Sequence, residues 1–221
     1  MRTYSFSFAI LLLMAASAGI ETAAAACQNE VLAALEKQRK AAAFRMQTSM
    51  LSEQGPLRMV VDYLAPDRMR QVVTRAIAPD QSTETILVGS KAWGKDGATW
   101  VELSAEVTRD LSGQLDEVFG DAAGAIGTVA CLGSTSIDGR ELMAYRIEND
   151  AQVGPKDMSP DAKAKAAAAL ADPSRPIRMF YIDPKSGLPA RSVFARADRM
   201  EKPVFKAEYT YDDAIKIEPP K

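Results

Sequence analysis

The sequence predicts an α+β fold, a long antiparallel sheet with helices on one face, and three observations predict it. Two apolar runs flank Asp183-Pro184-Lys185-Ser186-Gly187, a strand–turn–strand signature. Leu57, Met59, Val61 and Tyr63 alternate along Leu57–Tyr63, the period of a strand with one buried face. Val107, Leu111, Leu115, Val118 and Phe119 recur at helical spacing and mark one amphipathic helix from about Ser104 to Phe119.

Before any of these comes an export signal. Residues 1–26 carry a basic start at Arg2, an apolar stretch from Phe6 onward and an Ala24-x-Ala26 end, the plan of a secretory signal peptide. No later stretch supplies the roughly 18 consecutive apolar residues of a membrane span. A single domain is expected over residues 27–221.

Val31, Leu32 and Leu35 among charged residues predict a first helix from Asn29 to about Ala43. Phe44–Gln54 reads as extended, Gly55-Pro56 as a turn, and Leu57–Tyr63 as the next strand. Ala65-Pro66-Asp67 turns the chain into a strand over Met69–Ile77. Gln81–Trp93 reads as one strand, and Gly94-Lys95-Asp96-Gly97 as a hairpin before Trp100, Val101 and Leu103. After the second helix, Gly120–Gly127 is small and flexible in composition. Strands resume at Thr128–Leu132 and, beyond the turn Ile137-Asp138-Gly139-Arg140, at Leu142–Ile147. An alanine-rich excursion occupies residues 149–176, and strands on either side of the Asp183 turn and through Pro203–Tyr211 close the chain.

Composition narrows the function. The formal net charge is −2 with both signs mixed, which gives no electrostatic footprint for nucleic acid. There is no histidine, so the commonest general base and zinc ligand are both missing. Asp96, Glu102, Asp110, Asp116, Glu117 and Asp121 supply carboxylates, yet no Gly-x-Ser-x-Gly, Ser-x-x-Lys or phosphate-loop spacing surrounds them. No catalytic residue, metal site or cofactor is expected. The two cysteines leave three readings open: a Cys27–Cys131 disulfide suited to an exported protein, a lipobox Ala24-Ala25-Ala26-Cys27 with Cys27 acylated, or two free thiols.

Three stretches, Tyr63–Arg70, Val88–Trp93 and Tyr181–Arg191, followed by Tyr209-Thr210-Tyr211, give the chain a resemblance to the lipoprotein-carrier superfamily with the LolA/LolB-like fold. The resemblance covers most of residues 27–221. It implies a curved antiparallel half-barrel wrapping one or two helices, a periplasmic address, and a lipid, lipidated group or other hydrophobic molecule as ligand. It also implies the alternative of an envelope module that docks a membrane or protein partner and binds no ligand. On this reading Leu57, Met59, Val61, Tyr63, Trp93, Trp100, Phe119, Phe180, Ile182 and Phe194 are the candidates to line the cavity, against the plainer alternative of ordinary core packing. Arg68 and Arg70 are the candidates to hold a head group at its rim.

Overall fold

A computed structural model describes residues 18–53, 55–119, 127–148 and 174–221. The elements run α1 (Ala18–Arg39), β1 (Ala43–Ser52), β2 (Gly55–Leu64), β3 (Arg68–Arg75), β4 (Ala78–Val88), β5 (Lys91–Asp96), β6 (Thr99–Glu102), α2 (Ala105–Phe119), β7 (Thr128–Ile137), β8 (Arg140–Glu148), β9 (Pro176–Ile182), β10 (Pro189–Arg196) and β11 (Phe205–Tyr211). The strands form one open antiparallel sheet of 11, in the order β6-β5-β4-β3-β2-β1-β11-β10-β9-β8-β7. The first and last strands of the chain thus meet at its centre. No described helix is long and apolar enough to cross a membrane.

Both helices lie on the same face, here called inner, and each covers its own core. Residues Phe44, Tyr63, Met69, Leu87 and Ala92 stand opposite one another in a row across β1 to β5, and Tyr211 of β11 extends it. Helix α2 covers this row with Leu111 and Leu115, and Phe119 sets its ring edge-on to Phe44 at 6.0 Å. Beneath α1, Val31 and Ala34 pack with Val129, Tyr145, Ile147, Phe180 and Ile182. Cross-strand apolar rows of this kind fix register, since a slip of one residue would turn each row to the other face.

Local chemistry explains the boundaries. Ser104 caps α2, its Oγ accepting from the Val107 amide at 3.4 Å. The β9–β10 turn closes with the Gly187 amide donating to Asp183 O at 2.7 Å, and Gly187 takes φ +67°, a region costly for other residues. Asp138 and Gly139 both have positive φ, 52° and 76°, as a tight two-residue hairpin requires.

Three expectations are corrected. Helix α1 ends at Arg39, and Ala43 opens β1 opposite Leu64, 1% exposed. The stretch Gln81–Trp93 is two strands, because Gly89 at φ 58° and Ser90 turn the chain between Val88 and Lys91. Strands β7 and β8 are longer than read, reaching their shared turn at Asp138-Gly139. The small segment at 120–126 and most of the excursion, 149–173, lie outside the described residues.

The cysteines are joined as a Cys27–Cys131 disulfide, which fastens α1 to β7 with Cα atoms 5.5 Å apart. A disulfide-bonded Cys27 has no thiol left to acylate, so the structure selects one of the three readings. Nearby, Tyr145 Oη donates to Glu30 Oε2 at 2.6 Å, and Lys37 Nζ reaches the carbonyl of Ser186 in the β9–β10 turn. Helix α1 is therefore held by a covalent bond, an apolar face and polar contacts at two levels.

Candidate functional site

Between the two helix-covered cores the inner face is apolar but only half-buried. One row runs Val129, Ile147, Arg178, Phe194, Phe205, Met50, Leu57 across β7, β8, β9, β10, β11, β1 and β2. Val129 and Ile147 are buried under α1, whereas Phe194, Phe205, Met50 and Leu57 keep part of their surface. The neighbouring row passes Phe180, Ser192, Ala207, Thr48, Met59 and Val73, and there Met59 and Val73 are half-buried. Methionine and phenylalanine supply contact area that adapts to the shape of an apolar guest.

The centre of this strip is polar. Arg178 Nε donates to Ser192 Oγ at 3.3 Å, and its guanidinium carbon lies 5.8 Å from the Phe180 ring centroid. Ser192 is 1% and Thr48 3% exposed. Among the described residues, Thr48 Oγ1 and Tyr211 Oη are buried and have no hydrogen-bond partner. Burial pushes the Tyr209 hydroxyl pKa up, and the nearby Arg178 charge offsets part of that rise.

The sequence candidates separate by face. Leu57, Met59, Val61, Tyr63, Phe180, Ile182 and Phe194 are on the inner face, and Phe119 reaches it from α2. Of these, Val61, Tyr63, Phe180 and Ile182 are packed in the two cores, while Leu57, Met59 and Phe194 belong to the half-buried strip. Trp93 and Trp100 are corrected to the opposite, outer face: Trp93 pairs with Ile86, whose neighbour Leu87 is the inner one, and Trp100 pairs with Lys95. There Lys95 Nζ lies 5.7 Å from the centre of the Trp100 ring, a cation–π contact.

Arg68 and Arg70 are likewise outer-face residues and cannot rim the inner strip. Arg70 pairs with Glu84 at 2.6 Å and Arg68 Nη1 donates to Ile217 O at 2.9 Å. Arg70 belongs to a charge ladder across five strands. Arg45 grips Asp62 in a two-point contact at 2.5 and 2.9 Å, Asp62 lies 4.0 Å from Arg70, and Glu84 is shared between Arg70 and Lys95. Burial acts to raise the Glu84 pKa, but hydrogen bonds and charge from Arg70 and Lys95 outweigh it and hold the carboxyl below its ordinary value. The outer face also bears a pocket of about 550 Å³ where Arg191 joins Asp138 and Glu208, alongside Gln47, Arg58 and Leu142.

Sequence reasoning missed Arg178. Its signal was present in Pro176–Ile182, where it shares parity with Phe180 and Ile182, an arginine on the buried face of a strand.

No family model matches the sequence, and no curated protein matches it. Among solved structures, the lipoprotein LppX of Mycobacterium tuberculosis is 14% identical, with a TM-score of 0.53 over 88% of this chain and 99% of that one. LprF from Mycobacterium bovis is 13% identical, with a TM-score of 0.56 over 89% and 97% of the two chains. The chain has a LolA/LolB-like fold. The likeness to LppX and LprF lies in the architecture of a LolA/LolB-like half-barrel, since at these identities side chains are not carried across.

Proposed function

We propose that the protein binds a lipid, lipidated group or other hydrophobic molecule non-covalently on the inner face of its half-barrel. The observation that carries this reading is the half-buried apolar strip of Met50, Leu57, Met59, Phe194 and Phe205 between the two helix-covered cores. Each methylene of a guest covered there contributes about 0.8 kcal/mol. Eight to ten fully covered methylenes contribute about 6–8 kcal/mol, against an association cost that begins at about 4 kcal/mol. The fold shared with LppX and LprF is consistent with this use.

The N-terminus supports an exported address as part of this proposal. Ala25 and Ala26 are exposed and Cys27 is the first buried side chain described, so removing residues 1–26 as an export signal takes away no described packing. An oxidising envelope compartment also suits the disulfide. The denatured mass of the secreted protein tests this: it should start at Cys27 and lie two hydrogens below the reduced mass.

The binding reading is tested by titrating the mature protein with the neutral apolar fluorophore N-phenyl-1-naphthylamine. The expected result is saturable enhancement that Leu57→Glu and Phe205→Glu abolish while circular dichroism stays unchanged. Equal enhancement in both folded variants would remove the strip from consideration. A second reading, a partner-docking module, is favoured by the open sheet, whose edge strands β6 and β7 expose Val101 and Leu132 at 51% and 49%.

A further inference from the structure

Among the described residues, no carboxylate pairs with Arg178, a cation on the inner face. Among the described residues its hydrogen bond is the 3.3 Å one to the neutral hydroxyl of Ser192, its guanidinium lies over the Phe180 ring, and its charge reaches the buried Tyr209 hydroxyl. A guanidinium has five N–H donors, so most are left for a ligand. Three outer-face arginines, Arg45, Arg70 and Arg191, each have a carboxylate within 2.9 Å. A half-buried guanidinium beside Ile147 and Phe194 becomes costly once a ligand shuts out its remaining water, unless that ligand brings an anion to meet it.

From this we infer that the ligand class is an anionic amphiphile. Its oxyanion head group, carboxylate or phosphate, accepts hydrogen bonds from Arg178, and its alkyl chain lies along Phe194, Phe205, Met50 and Leu57. The inference rests on the inner-face binding reading and adds the head-group chemistry to it. A planar guanidinium suits both oxyanions because either offers two acceptor oxygens at the fork spacing. Ser192 holds the guanidinium from one side and Phe180 supports it from below, so little rotamer freedom remains to be lost on binding. On the same face Thr48 supplies a buried hydroxyl that has no partner among the described residues.

The experiment is isothermal titration calorimetry at pH 7.5 on delipidated mature protein with three twelve-carbon probes: dodecanoate, dodecyl phosphate and neutral 1-monododecanoylglycerol. Each is titrated into the wild type, Arg178→Gln and Arg178→Lys, with N-phenyl-1-naphthylamine binding followed in parallel. At least one anionic probe should bind the wild type roughly tenfold or more tighter than the neutral one, the worth of one charge-assisted contact. The tighter of the two anions identifies the head group. Arg178→Gln should erase the preference and Arg178→Lys should keep part of it, while both variants still bind the fluorophore.

Wild-type protein that binds the fluorophore and all three probes without preference for charge overturns the inference and leaves the inner-face site standing. So does a folded Arg178→Gln variant with the wild-type preference. Failure of the fluorophore and every probe to bind the wild type overturns the site itself.

Discussion

Replacing both cysteines, Cys27→Ala with Cys131→Ala, removes the bond between α1 and β7, and the structure sets the size of the effect. The bond closes a loop of 104 residues. In the chain-entropy model such a loop restricts the unfolded chain by about 16 cal/mol/K, or about 4.7 kcal/mol at 25 °C. Against the typical total of about 5–15 kcal/mol for a domain, this is a large share. Cys27 is 6% exposed within the α1 core, so Ala keeps most of its packing, and the loss should be dominated by the unfolded chain. The assay is urea unfolding by circular dichroism and tryptophan fluorescence. With a slope of about 2–3 kcal/mol/M, the midpoint should fall by roughly 2 M, and dithiothreitol should move the wild type to the same place. A double variant within about 1 kcal/mol of wild type, or a wild type indifferent to reductant, would refute the reasoning.

The remaining predictions concern single side chains. Phe180→Ala opens a cavity in the α1 core where the ring is 1% exposed and should cost about 3–5 kcal/mol in urea unfolding. Glu84 has a lowered pKa, so its contribution is complete above the ordinary carboxylate range and fades as pH falls through the lowered value. Glu84→Gln should cost about 0.5–1 kcal/mol at pH 7 and little at pH 2–3, measured as paired melts. Tyr145 is shifted upward by burial first and by its hydrogen bond to Glu30 second, so its contribution is full below about pH 10 and disappears as pH rises through the folded value. Tyr145→Phe should cost about 1 kcal/mol at neutral pH and narrow its gap to wild type in strong alkali.

Much of the sheet was legible because its signals are local. The alternation of Leu57, Met59, Val61 and Tyr63 identifies a shared face, and the Asp183–Gly187 turn closes as its residues require. The helix Ala105–Phe119 follows its apolar period, although Val107 at the first turn is 42% exposed because the core begins at Leu111. Which face of a strand looks inward is not local. Trp93 and Leu87 become outer and inner through the β4–β5 register, and that register depends on a turn at Gly89-Ser90 that reads as strand interior. Arg68 and Arg70 failed as rim residues for the same reason: parity with Asp62 places Arg70 outside. Arg178 was overlooked although Phe180 and Ile182, read as cavity candidates, share its parity along β9; its place beside Ile147 depends on the β8–β9 register.

The central claim is that the inner strip of the half-barrel carries a hydrophobic guest. Native followed by denaturing mass spectrometry of the mature protein, purified gently from cells that export it, tests this most directly. An added mass of lipid size that survives native ionisation, disappears on denaturation and is absent from a folded Phe205→Glu variant is the predicted result. A bare mature mass, unchanged after incubation with lipid vesicles, would contradict it.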